Sequence, residues 1–173
     1  MTLSGGEPLM QPRFTKSFFM HCKQLGIHTL METCGYGDKD DLLEIASFCD
    51  MIFYDVKICD PEKHKAWTGV GNRIILENLR ALCDHGMNDK ITVRTPCIPG
   101  VNDSPEEVRN IARTVKELGI SQMQLLPYDP MSSEKYNWIG VKYTLSDRSP
   151  KDKEYYESLN KLVEHEGIKV LRG

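Results

Sequence analysis

Residues 104–128 read "SPEEVRNIARTVKELGISQMQLLPY", and this stretch decides the fold class. Val108, Ile111, Ala112, Val115 and Leu118 recur at steps of three and four, which lays one apolar stripe along a helix. Ser104 is the expected N-cap, Pro105 takes the first helical position, and Glu107 is placed to complete a capping box. Gly119 follows as the C-cap residue. The apolar run "MQLLPY" at 123–128 then reads as a strand. Helix, glycine and strand together form one link of a βα series.

The same link recurs in both directions. Gly26, Gly86 and Gly167 end helix patterns just before apolar runs, and Tyr156, Leu159, Leu162 and Val163 mark the last helix. The strand candidates are "TLS" at 2–4, "IHTLME" at 27–32, "MIFYDVK" at 51–57, "ITVRTPCI" at 91–98, "MQLLPY", and a short "IKVL" at 168–171. Several are nearly continuous in apolar residues, the pattern of parallel strands covered by helices. The fold class is therefore α/β with a parallel sheet, and periodicity alone leaves a barrel segment and a doubly wound sheet both open. No low-complexity linker interrupts the chain, so residues 1–173 are expected to form a single domain.

Composition narrows the function classes. A net charge of −3 offers no basic patch of the kind nucleic acid requires. No apolar run reaches the roughly 18 residues of a membrane helix, and the N-terminus lacks a signal pattern, so no membrane is involved and the expected location is cytoplasmic. The six cysteines, Cys22, Cys34, Cys49, Cys59, Cys83 and Cys97, show no C-x-x-C spacing. They read as reduced, mostly buried thiols.

In βα folds ligands bind at the carboxyl ends of strands. Ser4-Gly5-Gly6-Glu7 ends the first run, Glu32-Thr33-Cys34-Gly35 the second, Asp55-Val56-Lys57 the third, and Tyr128-Asp129 the fifth, with Arg94 inside the fourth. Taken singly, the glycines read as a tight turn, Asp55 and Lys57 as a surface pair, and Arg94 as the partner of a neighbouring carboxylate. His21, His28, His64, His85 and His165 read as surface or packing residues. Taken together, Glu32, Asp55, Lys57, Arg94 and Asp129 would converge on one rim, because residues two apart on a strand share a face. Such a rim offers a cation for a carboxylate and carboxylates for an ammonium or ribose hydroxyls. It suits a zwitterionic nucleoside better than a bare phosphate, and neither a GxGxxG nor a P-loop is present.

Five segments in register carry a resemblance. "SGGEPLMQ" at 4–11, "ETCGYG" at 32–37, "YDVK" at 54–57, "VRTPCIPGVND" at 93–103, and "LLPYD" at 125–129 followed by "YNW" at 136–138 resemble, in order, the motifs of the radical S-adenosylmethionine enzymes. Within them the chain is most similar to the glycyl-radical-enzyme activases typified by pyruvate formate-lyase activating enzyme. The resemblance implies a partial (βα) barrel and an S-adenosylmethionine site. In it Gly5, Gly6 and Glu7 face the methionine end, with Glu32 and its neighbour Thr33 beside them. Asp55 would hold the ribose, Lys57 the carboxylate, and Arg94 would lie close to the cofactor. Asp129 stands where the typifying enzyme has a histidine near the adenine.

The resemblance further implies an oxidoreductase in which a reduced [4Fe–4S] cluster drives formation of a 5′-deoxyadenosyl radical. That radical takes hydrogen from a glycine of a pyruvate formate-lyase-like partner, with flavodoxin or ferredoxin as electron donor. The cluster motif C-x-x-x-C-x-x-C is absent from these 173 residues. The chain is therefore expected to be the C-terminal portion of an activase, truncated at its N-terminal end, without cluster ligands or activity of its own. The alternatives are an activase of another glycyl radical enzyme, such as anaerobic ribonucleotide reductase, and a non-catalytic docking module. An ordinary βα-barrel aldolase or isomerase would require a catalytic lysine or histidine in a phosphate-binding context, and none is visible.

Overall fold

In the computed structural model, six strands form one sheet in the order β1-β2-β3-β4-β5-β6, every neighbouring pair parallel. The structure describes residues 1–131, 134, 136, 138, 140, 142, 143, 145 and 147–172. The strands are β1 (Thr2–Leu3), β2 (Leu30–Thr33), β3 (Met51–Asp55), β4 (Ile91–Cys97), β5 (Gln122–Pro127) and β6 (Lys169–Val170). The helices are α1 (Pro12–Gln24), α2 (Lys39–Ser47), α3 (Pro61–Thr68), α4 (Arg73–Asp84), α5 (Pro105–Glu117) and α6 (Lys153–His165). Strand order equals chain order, so there is no reversal point of the doubly wound kind. Right-handed crossovers then place α1, α2, α4, α5 and α6 on one face of the sheet, where their buried residues join a single core. This is the partial-barrel alternative.

One face is therefore sealed and the other is open. Met31, Ile52, Tyr54, Val93 and Met123 on the strands pack with Phe19, Leu42, Ile45, Leu79, Ile111, Val115, Leu159 and Val163 on the helices in one apolar cluster. The residues between them, Glu32, Phe53, Asp55, Arg94, Pro96 and Gln124, stay half-buried. Apolar continuity had suggested strands covered by helices. The structure restricts that cover to alternate residues, because those five helices occupy one side.

The α5 stripe behaves as read: Val108, Ile111, Ala112 and Val115 are fully buried. Burying each larger aliphatic side chain contributes about 1.5–3 kcal/mol, so the stripe outweighs intrinsic helix preference in holding α5. Ser104 caps the helix by accepting from the Glu107 N–H at 3.2 Å. The Glu107 carboxylate, expected to close a capping box, pairs instead with Lys63 Nζ at 3.0 Å and ties α5 to α3. The β2 run begins three residues later than its apolar pattern. Thr29 is drawn sideways into hydrogen bonds with the Asp50 carboxylate and the Phe48 carbonyl. Among the described residues, no helix is long and apolar enough to cross a membrane.

Candidate functional site

Two registers on the open face build the site. Glu32, Phe53 and Thr92 align across β2, β3 and β4, and Asp55, Arg94 and Gln124 align across β3, β4 and β5. The Arg94 side chain crosses above Phe53, its guanidinium 4.8 Å from the ring centroid, and so reaches carboxylates on two strands. Its NH2 donates to Glu32 Oε2 and to Asp55 Oδ1, both at 3.2 Å, and its Nε donates to Asp55 Oδ1 at 3.3 Å. Ser4 Oγ donates to Glu32 Oε2 at 2.8 Å, and Lys57 Nζ lies 3.5 Å from Asp55 Oδ2. The two cations differ in availability. The Arg94 side chain is 14% exposed and engaged by both carboxylates, whereas that of Lys57 is 37% exposed with one long ion pair. Among the described residues lining the cleft, Lys57 is thus the cation with donors free for an incoming anion.

Gly5 and Gly6 carry the chain from β1 with φ of 90° and 62°, which side-chain-bearing residues rarely adopt. They turn Glu7 back towards the end of β2. There the Glu7 carboxylate accepts from Thr33 Oγ1 at 2.5 Å, from the Cys34 N–H at 2.8 Å, from the Cys34 thiol at 3.0 Å, and from the Leu9 N–H at 3.2 Å. Four donors occupy most of a carboxylate's acceptor capacity. Glu7 therefore clamps the end of β1 to that of β2. Burial, reinforced by the hydrogen bond to Glu7 and its charge, pushes the Cys34 thiol up to about 11, which keeps it protonated as a donor.

Ser4, Gly6, Glu7, Glu32, Thr33, Cys34, Asp55, Lys57 and Arg94 line one cleft of about 170 Å³. Sites for drug-sized ligands occupy roughly 300–1,000 Å³, so this cleft suits one polar part of a nucleoside-sized ligand. An apolar pocket of about 240 Å³ adjoins it, sharing Glu7, Cys34 and Lys57 and walled by Met10, Tyr36, Val70 and Ile75. A larger hollow of about 410 Å³ lies beyond β5 against α6 and contains none of the cleft residues.

The structure brings Gly6, Glu7, Glu32, Thr33, Asp55, Lys57 and Arg94 together, with Gly5 adjoining. Asp129 is not in the cleft lining; its Oδ1 accepts from the Met131 N–H at 2.9 Å in the turn after β5. Asn137 of the "YNW" segment lies outside the described residues. Ser4 and Cys34 were legible as strand-end residues but carried no signal of a role. Asn72 and Asn78, buried behind the loops, gave none either, and Asn102 stood in the "VRTPCIPGVND" segment without a role of its own. His64 is buried too, its Nδ1 2.8 Å from the Val70 carbonyl, which is a packing role.

Cysteines do not gather anywhere. Cys22, Cys49 and Cys97 are buried, on α1, just before β3 and on β4, while Cys34, Cys59 and Cys83 are half-buried at separate places. Among the described residues, no group of three or more His, Cys, Asp or Glu side chains could hold a metal ion.

A family model described as the radical SAM superfamily matches residues 1–115. Over 139 residues the chain is 43% identical to the isethionate sulfite-lyase activating enzyme of Nitratidesulfovibrio vulgaris, covering 80% of this chain and 45% of the relative. Over 168 residues it is 34% identical to the 4-hydroxyphenylacetate decarboxylase activating enzyme of Clostridioides difficile, covering 97% and 53%. A choline trimethylamine-lyase activating enzyme of Oleidesulfovibrio alaskensis is 38% identical over 149 residues, covering 84% and 47%. The chain spans about half the length of these curated relatives. Among solved structures, a domain of pyruvate-formate lyase-activating enzyme from Bacteroides vulgatus superposes with a TM-score of 0.82 at 24% identity, covering 100% of this chain and 98% of that one. Streptococcus suis SuiB bound to S-adenosylmethionine gives 0.68 at 16% identity, covering 98% and 36%. These structural likenesses speak for the fold.

Proposed function

The chain belongs to the radical SAM superfamily, and on that premise we propose that its cleft holds the amino-acid and ribose portions of S-adenosylmethionine within an activating enzyme for a glycyl radical enzyme. One observation carries the reading: Glu32, Asp55, Lys57 and Arg94 converge on a single cleft at the carboxyl ends of adjacent parallel strands. The donor set fits the ligand. Lys57 offers an ammonium to the carboxylate, and Glu32 and Asp55 offer acceptors to the ammonium and the ribose hydroxyls. Arg94 bridges those two carboxylates, offsetting their mutual repulsion and orienting them. Gly6 leaves open space at the cleft wall, where a Cβ would meet nothing within 4 Å. Glu7 supports the wall through Thr33 and Cys34.

S-Adenosylmethionine is the group that supplies hydrogen-atom abstraction when its sulfonium bond is reductively cleaved. The residues of this chain bind and orient it. They do not fit a [4Fe–4S] cluster: thiolate ligands must converge, and these six cysteines are dispersed. No electron-transfer step is therefore assigned to this chain, and a flavodoxin or ferredoxin would serve the whole enzyme. The partner is left at the level of a glycyl radical enzyme, because the relatives' names include a sulfite-lyase, a decarboxylase and a trimethylamine-lyase. A pyruvate formate-lyase-like partner is one member of that class. A cytoplasmic location and a single domain over residues 1–173 belong to the same proposal, as does an adenine contact by Asp129.

Amide chemical-shift mapping with S-adenosylmethionine tests the reading. Contacts of this exposed, charged kind contribute about 0–1 kcal/mol each, so saturation is expected at roughly millimolar ligand. Shifts should concentrate at Gly6, Glu32, Asp55, Lys57 and Arg94. No shift at several millimolar, or shifts confined to the hollow beside α6, would overturn it. Anaerobic reconstitution with iron and sulfide should leave the chain colourless and produce no 5′-deoxyadenosine. A stable chromophore with turnover would contradict the reading of its cysteines, and a colourless chain that binds no S-adenosylmethionine would favour the docking-module alternative.

A further inference from the structure

Three buried asparagines sit behind the loops that carry the cleft, each with its side-chain amide spread between two backbone carbonyls. Asn78 on α4 donates Nδ2 to the carbonyls of Gly35 at 2.7 Å and Gly37 at 3.0 Å, in the loop after β2. Asn72, just before α4, donates to those of Ile58 at 2.9 Å and Cys59 at 2.7 Å, in the loop after β3. Asn102, in the turn after β4, donates to those of Lys57 at 2.7 Å and Pro96 at 2.8 Å, while its Oδ1 accepts from the Ile98 N–H at 2.7 Å. They are only 2%, 3% and 2% exposed, so water cannot take over these bonds. Loops leaving parallel strands lose their ladder partners, and buried carbonyls must be satisfied otherwise.

Asn102 differs from the other two because one of its acceptors belongs to a cleft residue. The segment leaving β3 is pinned to β4 at each step. Asp55 is in register with Arg94, the Val56 N–H donates to the Arg94 carbonyl at 3.0 Å, and Thr95 Oγ1 donates to the Val56 carbonyl at 2.9 Å. Asn102 then takes the Lys57 carbonyl. Beyond Asp55 the strand ends; Asn102 holds the carbonyl of Lys57 itself, and Asn72 holds the next two, those of Ile58 and Cys59. We infer that Asn102 is a positioning residue that fixes Lys57 over the cleft and so sets the affinity for the ligand's carboxylate. The inference rests on the ligand reading above.

A double-mutant cycle tests it, with S-adenosylmethionine affinity read by chemical-shift titration. Asn102→Asp keeps the shape and the Oδ1 acceptor for Ile98 but turns the donor to Lys57 and Pro96 into an acceptor; Asn102→Ala removes the side chain. In the native background either is expected to weaken binding about threefold, which is about 0.7 kcal/mol. In a Lys57→Met background, where the ammonium is already gone, either should weaken it no further. An equal loss in both backgrounds would show general loosening and overturn the inference. Hydrogen exchange is the second measurement, independent of any ligand. Asn102→Asp should speed exchange at the Val56 amide, which donates to the Arg94 carbonyl, at least tenfold while those of Ile52 and Val93 stay unchanged. If the native chain binds no S-adenosylmethionine, the ligand reading fails, and the exchange result then decides the positioning role. Unchanged exchange at Val56, or a uniform rise that includes Ile52 and Val93, would overturn it.

Discussion

The two faces of the sheet use the same strands for opposite ends. On β3, Ile52 and Tyr54 are fully buried against helices, while Phe53 and Asp55 are half-exposed. On β4, Val93, Thr95 and Cys97 are buried, while Arg94 and Pro96 face the open side. Side chains alternate along a strand, so each residue of one face is bracketed by two of the other. A one-residue slip would exchange the faces and place Arg94 among the helices. The sealed face therefore holds the open one in place, and its carbon packing sets where the charges stand. Substitutions on the two faces should separate cleanly into stability effects and binding effects.

The largest effect is expected on the sealed face. Tyr54 is fully buried, donates its hydroxyl to the Ile75 carbonyl at 2.7 Å, and fills the space above Gly35, where an added Cβ would lie 1.7 Å from the hydroxyl oxygen. Tyr54→Ala should cost about 3–5 kcal/mol in urea unfolding. Gly35→Ala should prevent stable folding, because φ at that position is also +70°. A loss below about 1 kcal/mol in either variant would break the comparison.

Arg94 comes next, because it stands at the boundary. Arg94→Met leaves Glu32 and Asp55 close together without their cation. A fully buried pair broken this way loses about 3–5 kcal/mol; here, with carboxylates 25% and 20% exposed, about 1–3 kcal/mol is expected. Binding of S-adenosylmethionine should fall by more than tenfold. Unchanged binding in a folded variant would separate Arg94 from the site.

Alkaline pH tests the sealed face by another route. Burial pushes the thiols of Cys49 and Cys97 up to about 12. Unfolded thiols ionise near 9, so between about pH 9 and 12 the unfolded chain releases protons that the folded chain retains. Stability is full below about pH 9 and falls as pH rises through that window. Thermal melts that stay flat from pH 8 to 11 would contradict this.

The smallest stability effect belongs to the open face. Lys57→Met removes one long, partly exposed ion pair, and the melting curve should move by no more than about 0.5 kcal/mol. Ligand affinity should still fall by about three- to fivefold. A stability loss comparable to that of Tyr54→Ala would show that the open face also carries the fold.

Much of this arrangement could be read along the chain. The α5 stripe, the glycines before β2, β4, β5 and β6, and polar residues at strand ends are local patterns, and they led to the sheet and to most of the cleft. Glu7 was legible as a site residue but not as the acceptor of four donors, because Thr33 and Cys34 reach it only after β1 and β2 align. The break between α3 and α4 is a tertiary feature: Gly69 ends α3 in the left-handed conformation, and the packing of Ile75 and Leu79 into the core marks the new helix.

By itself the sequence determined the order of strands and helices and the chemical character of each strand end, because hydrophobic period and helix capping act between neighbours in the chain. Only the tertiary structure decided which face of each strand is sealed, that Arg94 bridges Glu32 and Asp55 across Phe53, and that Asn102 anchors Lys57. Those contacts join residues 39–62 positions apart. Their geometry comes from strand register and from the burial of amides, which no local pattern encodes.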